Sequence, residues 1–196
     1  WYDARAVAES AKTLAWKFAV RGEPFIDPAV SETNMVRRLL GRLDDIRSQF
    51  HGLELAVVNA PAVSSWMREQ RKAPWDERKE VYRRERLIDQ KDWYARKAKY
   101  NKRRSTQWRV ALVAFEFLGI VASLVTAFSD SVPLFGPALA AVVVAIVAWL
   151  ETKQHDFNAR AYAAAVADLA QAETKLDIAK DESEWAQEVE NAEEAI

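Results

Sequence analysis

The stretch whose reading decides the fold is WRVALVAFEFLGIVASLVTAF, Trp108 to Phe128, followed after SDSVP (Ser129 to Pro133) by LFGPALAAVVVAIVAWL, Leu134 to Leu150. A bilayer core about 30 Å thick needs roughly 20 apolar helical residues to cross it, with a lower limit of about 17. Both runs meet that length, so the sequence predicts spanning helices over about 108–128 and 134–150. The competing reading is a pair of helices buried in a soluble core. Helices with so little polar face suit that reading badly in a chain of which 29% is charged. Pro133, Gly136 and Pro137 oblige the second helix to start afresh, which predicts a tight antiparallel hairpin. The spans come as a pair past residue 100 and are not a signal peptide.

Before the first span, KAKYNKRRSTQWR carries Lys97, Lys99, Lys102, Arg103, Arg104 and Arg109 and no acid, whereas the connection offers only Asp130. The positive-inside rule then places both ends of the hairpin in the cytoplasm and the connection outside. Trp108 and Trp149 fall at the two cytoplasmic boundaries, where amphipathic rings prefer to lie. The six basic residues are candidates for holding anionic lipid headgroups at about 1 kcal/mol each, or they are a topology signal alone. The membrane claims the same surface, which argues against a nucleic-acid role.

Outward from the spans, neither arm contains Pro or Gly. Residues 75–107 read as one helix running into the first span, with Leu87, Tyr94, Ala98, Asn101, Ser105 and Trp108 as a contact stripe. After the second span, Tyr162, Ala165, Leu169, Ala172, Leu176 and Ala179 form an a/d heptad seam on a helix expected to continue toward Ile196. Residues 75–109 carry 13 Lys and Arg against six Asp and Glu, a net +7, and residues 151–196 carry four against 12, a net −8. Such arms should pair, the apolar seam stabilising and the charges choosing partner and register.

The first 74 residues predict an N-terminal helical region. It comprises a helix to Val20 with a small-residue seam (Trp1, Ala4, Ala8, Ala11, Ala15, Phe18), a second helix capped by Ser31 through about Phe50, and a short third between Pro61 and Pro74. The chain is thus expected to be all-α, with an N-terminal cytoplasmic region over 1–74 and a two-transmembrane module with cytoplasmic stalk helices over 75–196. WYDARAVAES at Trp1 and WYARKAKYNK at Trp93 echo one another, each with a further Trp 15 residues on, at Trp16 and Trp108. A start at Trp1 without an initiator Met, and an end at Ile196 inside a helical pattern, read as a fragment of a longer chain.

Composition removes whole classes of activity. The absence of Cys excludes a disulfide scaffold, a thiolate zinc site and a cysteine nucleophile. The five glycines, Gly22, Gly41, Gly52, Gly119 and Gly136, are too scattered for a phosphate-cradling loop. His51 and His155 have no ligand-spaced partner. No catalytic, cofactor or metal residue is proposed, and an enzyme is disfavoured.

Glu116 is the one acid or base in the apolar interior of either span, where a carboxylate costs several kcal/mol unless it faces protein or water or is protonated. Gly119, Ser123 and Thr126 follow on the same helix face. Two readings stand: a pore-lining stripe, or a packing surface with Gly119 admitting a close neighbour. In the second span Gly136, Ala140, Ala141, Ala145 and Ala148 form a small-residue face suited to packing.

WYDARAVAESAKTLAWKFAVRGEPF, YRRERLIDQKDWYARKAKYN, the hairpin and the closing VENAEEAI together resemble the bacterial SLATT family, the two-transmembrane effector domains that accompany nucleotide-signal synthases and SLOG sensors. The resemblance is to a tandem arrangement and covers roughly residues 1–25 and 77–196. It implies a further transmembrane pair before Trp1 and a short tail after Ile196. It also implies an oligomeric effector in the bacterial inner membrane that forms a pore or perturbs permeability on a cytoplasmic signal, in conflict or anti-phage defence. No catalytic residue comes with the family. The matching positions (Trp1, Tyr2, Arg5, Glu9, Lys12, Trp16, Pro24 and Phe25; Arg86, Gln90, Trp93, Tyr94 and Asn101) look structural. The alternative is a scaffold whose spans only anchor and whose cytoplasmic helices recruit partners.

Overall fold

A computed structural model describes residues 2–49, 61–128 and 135–196. Trp1, His51, Gly52 and the Ser129–Pro133 connection with Asp130 lie outside the described residues. The described chain is all-α: α1 (Tyr2–Val20), α2 (Glu32–Gln49), α3 (Ser65–Lys72), α4 (Trp75–Tyr82), a π-helical turn (Arg83–Ile88), α5 (Asp89–Phe128), α6 (Phe135–Lys153), α7 (His155–Ile178) and α8 (Glu182–Glu194). It forms two compact units, one of Trp1–Lys91 with Ala167–Ile196 and one of Asp92–Val166.

In the first unit, Leu14, Phe18, Ala19, Phe25, Met35, Leu39, Val63 and Met67 form one apolar core among α1, α2, α3 and the segment leading into α3. Ser31 caps α2, as expected, accepting from the Asn34 amide at 3.4 Å. The anticipated small-residue seam of α1 is corrected. Ala4 and Ala8 are exposed, and the buried face is Leu14, Phe18, Ala19 and Val20 at the helix C-terminus. Alanine removes too little apolar area from water to hold a helix down, whereas Leu14 and Phe18 remove enough.

That C-terminus is closed by a Schellman turn, with the Gly22 amide donating to Lys17 O at 2.8 Å and the Arg21 amide to Phe18 O at 3.4 Å. Arg21 takes the left-handed position at φ 60°. Gly22 is needed for proximity instead, since a Cβ there would meet Val189 Cγ1 of α8 at 2.5 Å. Arg71 of α3 then donates to Phe18 O at 2.8 Å and Phe25 O at 2.7 Å, with its guanidinium 4.8 Å from the Phe18 ring centroid. Burial, reinforced by the nearby Arg21 charge, brings the Arg71 pKa down to about 10.

At the centre of this unit, Arg86 of the π turn and Glu193 of α8 form an ion pair with both side chains at 0% exposure. Arg86 Nε donates to Oε1 at 2.9 Å and Nη2 to Oε2 at 2.6 Å, a bidentate fork. Tyr82 Oη donates to Oε1 at 3.0 Å and Thr13 Oγ1 to Oε2 at 2.8 Å. Burial alone would pull Arg86 down, but the hydrogen bonds and charge of Glu193 outweigh it and hold its pKa above the ordinary value. Burial first, then the Glu193 charge, raises the Tyr82 phenol. One carboxylate thus ties α1, α4, the π turn and α8 together.

The two arms pair as their charges predict. In the first unit the stretch of α7 from Ala167 carries Leu169, Ala172 and Leu176 inward, and Glu173 accepts from Arg83 at 3.1 Å and from Lys91. The hydrogen bond from Lys91 is the largest influence holding the Glu173 carboxyl below the usual range. In the second unit Trp93 meets Tyr162 with ring centroids 5.7 Å apart, Asn101 meets His155 and Trp108 meets Trp149. Numbers rise along one arm as they fall along the other, as in an antiparallel hairpin.

The expectation of an unbroken helix after the second span is corrected. The helix breaks at Gln154, which sits at φ 46°, and again at Ala179–Asp181. The second break has a local cause. The Asp181 side chain caps α8 by accepting from the Ser183 and Glu184 amides, and Glu184 reaches back to the Lys180 amide at 2.9 Å.

Two stability measurements test this account. Glu193→Ala strands a fully buried guanidinium and should cost about 3–5 kcal/mol in denaturant unfolding of the detergent-solubilised chain. A loss under 1 kcal/mol would mean that Arg86 reaches water. Gly22→Ala should cost about 1–3 kcal/mol through its clash with Val189. Adding Val189→Ala should return part of that loss, and strict additivity of the two would remove the close approach as the reason for glycine.

Candidate functional site

The apolar parts of α5 and α6 do not form a core. None of the most apolar window in the first long helix is buried, and 6% of that in the second. Val110, Val113, Phe117, Ile120 and Leu124 on α5 are each at least 57% exposed, as Val144 on α6 is at 67%. Helices this apolar that shelter so little of themselves are suited to lipid and not to a soluble interior. On α6 the more sheltered positions are Leu139, Val143, Ile146 and Leu150, whereas Ala140, Ala141, Ala145 and Ala148 are exposed. The packing face expected on the small residues therefore falls on the larger ones within this chain, and the alanines are left outward.

Glu116, Gly119, Ser123 and Thr126 lie on one face of α5. Glu116 and Ser123 are exposed, and Gly119 and Thr126 half-buried beside them. Ser123 Oγ donates to Gly119 O at 2.8 Å, and Thr126 Oγ1 lies 2.9 Å from Ser123 O and 3.1 Å from Ala122 O. Both hydroxyls are satisfied by their own helix, the economical arrangement where no water is at hand. A Cβ at Gly119 would meet nothing within 4 Å, and no ion pair or hydrogen bond engages Glu116 among the described residues.

Where the spans meet the charged arms, the Trp108 and Trp149 rings lie 6.2 Å apart. All six basic candidates are exposed. Three have partners: Lys97 stands 5.5 Å over the Trp93 ring, Arg104 5.5 Å over Tyr100, and Arg109 is 3.4 Å from Asp156. Lys99, Lys102 and Arg103 face outward on the same helix. Lys153 adds a further cation, 4.7 Å over Trp149.

Sequence reasoning missed the detail of this boundary. The sequence puts Asn101 and Ser105 on the contact stripe, and both are buried, but their surroundings come from across the hairpin. His155 Nδ1 lies 2.8 Å from Asn101 Oδ1, while Asn101 Nδ2 donates to Lys97 O at 2.9 Å. Burial, then the Arg104 and Lys153 charges, push the His155 pKa down, so it is neutral at neutral pH. The break at Gln154 lies immediately before it. No glycine or proline marks that break, and the only signal in the sequence is an Asn seven residues before the first span and a His five residues after the second. Among the described residues no group of His, Asp and Glu could hold a metal ion.

Residues 82–196 match the family described as SMODS and SLOG-associating 2TM effector domain 1, and residues 1–79 match SMODS and SLOG-associating 2TM effector domain 3. Neither the curated proteins nor the solved structures give a match. With more than half of its length in the first of these matches and most of the remainder in the second, the chain belongs to the SMODS and SLOG-associating two-transmembrane effector domains, in tandem arrangement.

Proposed function

We propose that this protein is a multi-pass effector of the bacterial inner membrane that assembles through its spans and opens a path across the bilayer when a cytoplasmic signal arrives. Conflict or anti-phage defence is the setting that the family's description as an effector supports. The observation that carries the proposal is the Glu116 stripe, a carboxylate held on an exposed face of an apolar span with no partner in its own chain among the described residues. Such a group in hydrocarbon is stable only against protein, against water, or protonated. One hairpin cannot enclose water, so the partner surface must come from further copies. The exposed alanine face of α6 would let those copies approach closely. The names of the matched families point to a nucleotide-signal synthase or a SLOG sensor as the source of the trigger. The second reading, a scaffold that only anchors, keeps the same stripe as a packing surface.

Ion flux through liposomes carrying the full chain separates the two. Glu116→Gln keeps the shape and removes the charge. In a water-filled path it should lower cation preference, read as a shift of the reversal potential under a salt gradient. A packing role predicts that Gln, which still hydrogen-bonds, leaves conduction alone. Topology is checked on its own terms, because the chain has no native cysteine. A Cys placed at Ser131 should react with an impermeant reagent from outside the cell, and Cys at Trp93 or Tyr162 only after permeabilisation. The opposite pattern would invert the hairpin.

A further inference from the structure

The second unit holds a groove at the cytoplasmic end of the spans, with a cavity volume of about 560 Å³, that no reading above uses. Its wall is ordered by polarity. Leu112, Val147 and Leu150 line the part within the spans, and Arg109, Glu151 and Asp156 the part next to the stalk. Residues on both sides of the Gln154 break contribute, so the kink in the second arm helps to shape it. Trp108 and Trp149, the boundary aromatics, mark this level as the headgroup layer.

From this arrangement we infer that the groove binds the headgroup of one phosphatidylethanolamine molecule of the cytoplasmic leaflet. The order of the wall matches the order of a phospholipid: acyl chains against the leucines and valine, phosphate next, and the terminal group beyond. Arg109 is exposed, carries five fixed donors and suits the phosphate. In the unliganded chain it rests 3.4 Å from Asp156, which keeps a second partner, Arg160, at 3.3 Å when Arg109 turns away. Glu151 and the Oδ1 of Asp156 that Arg109 vacates are left to face a cation. A primary ammonium offers them three N–H donors, whereas a choline offers none and would need an aromatic cage where only Phe157 lines the groove. Of the charged side chains that line the groove, Arg109 is the one cation against Glu151 and Asp156, and Arg160 pairs with Asp156 from outside the lining, so an anionic headgroup without a cation leaves Glu151 unanswered. The outward cations Lys99, Lys102 and Arg103 attract anionic lipid in general, and the groove selects a zwitterion.

The inference rests on the hairpin's crossing the membrane with this end in the headgroup layer, and not on conduction. The full chain, purified in detergent and exchanged against an equimolar mixture of phosphatidylethanolamine, phosphatidylcholine and phosphatidylglycerol, is read by native mass spectrometry for retained lipid. One phosphatidylethanolamine per chain is expected. The double variant Glu151→Gln with Asp156→Asn should retain it about tenfold less, the equivalent of roughly 1.4 kcal/mol, with phosphatidylglycerol retained as well or better. Arg109→Gln should lose phosphatidylethanolamine without gaining either competitor. All three positions are at the surface, and flotation of each variant with liposomes reports that it still inserts. Equal retention of the three lipids by the parent, or parental retention of phosphatidylethanolamine by the double variant, overturns the assignment while the membrane reading survives on the flotation. A parent that does not float removes both.

Discussion

The first unit is organised by the Arg86–Glu193 ion pair. A guanidinium and a carboxylate at 0% exposure have no water to fall back on, so every helix that seals or completes the pair is fixed in place by the desolvation it enforces. Thr13 and Tyr82 complete it from α1 and α4. Glu193 reaches it only because the chain stops being one helix at Ala179–Asp181. Continued straight from Ile178, an α-helix would carry residue 193 roughly 22 Å further along the axis at 1.5 Å per residue. The π turn at Arg83–Ile88 serves the same pair, presenting Arg86 one turn after Tyr82 so that both reach the same carboxylate oxygen. With α8 drawn in, Val189 comes down on the end of α1 and only glycine fits at position 22. Because Thr13 lies in the stretch matched to one effector domain and Tyr82, Arg86 and Glu193 in the stretch matched to the other, the tandem halves meet on one buried carboxylate, that of Glu193.

The second unit obeys a different solvent. Its helices leave their largest apolar side chains outward and turn their few hydroxyls back onto their own backbone, where a polar group can be satisfied without water. Glu116 is the exception to that economy, and it gains its interest from being one. Within this unit, where the apolar spans give way to the charged arms, the chemistry is amphipathic throughout: cations laid over aromatic rings, a half-buried Asn–His contact, and a helix that breaks as it leaves the span.

The residues that carried the family resemblance can now be given physical roles. Phe25 fills the core between α1 and α2, and Trp16 stands edge-on to both Trp66 and Tyr82, with centroids 5.1 and 6.0 Å away. Arg86 holds the buried pair, and Asn101 fixes His155 beneath the spans. These are structural duties, the kind the motif suggested.

What the sequence determined by itself was whatever depends on local chemistry summed along the chain. A predominantly apolar run of 21 residues from Trp108 and a second apolar run beyond Pro133 specify spans by length alone, the segregated charges of the two arms specify that they pair, and the Ser31 cap specifies where α2 begins. Even the Asp181 cap is legible in DESE, although the absence of glycine and proline points to continuity there. What only the tertiary structure decided depends on groups distant in the chain meeting without water: that Glu193 belongs to Arg86 from 107 residues away, that Gly22 yields to Val189, that Gln154 breaks the second arm, and that the alanines of α6 face outward. Periodicity fixes which face of a helix is apolar, but the partner of a buried charge is chosen by the whole fold, because the cost of leaving that charge unpaired is felt only once every surrounding side chain has closed over it.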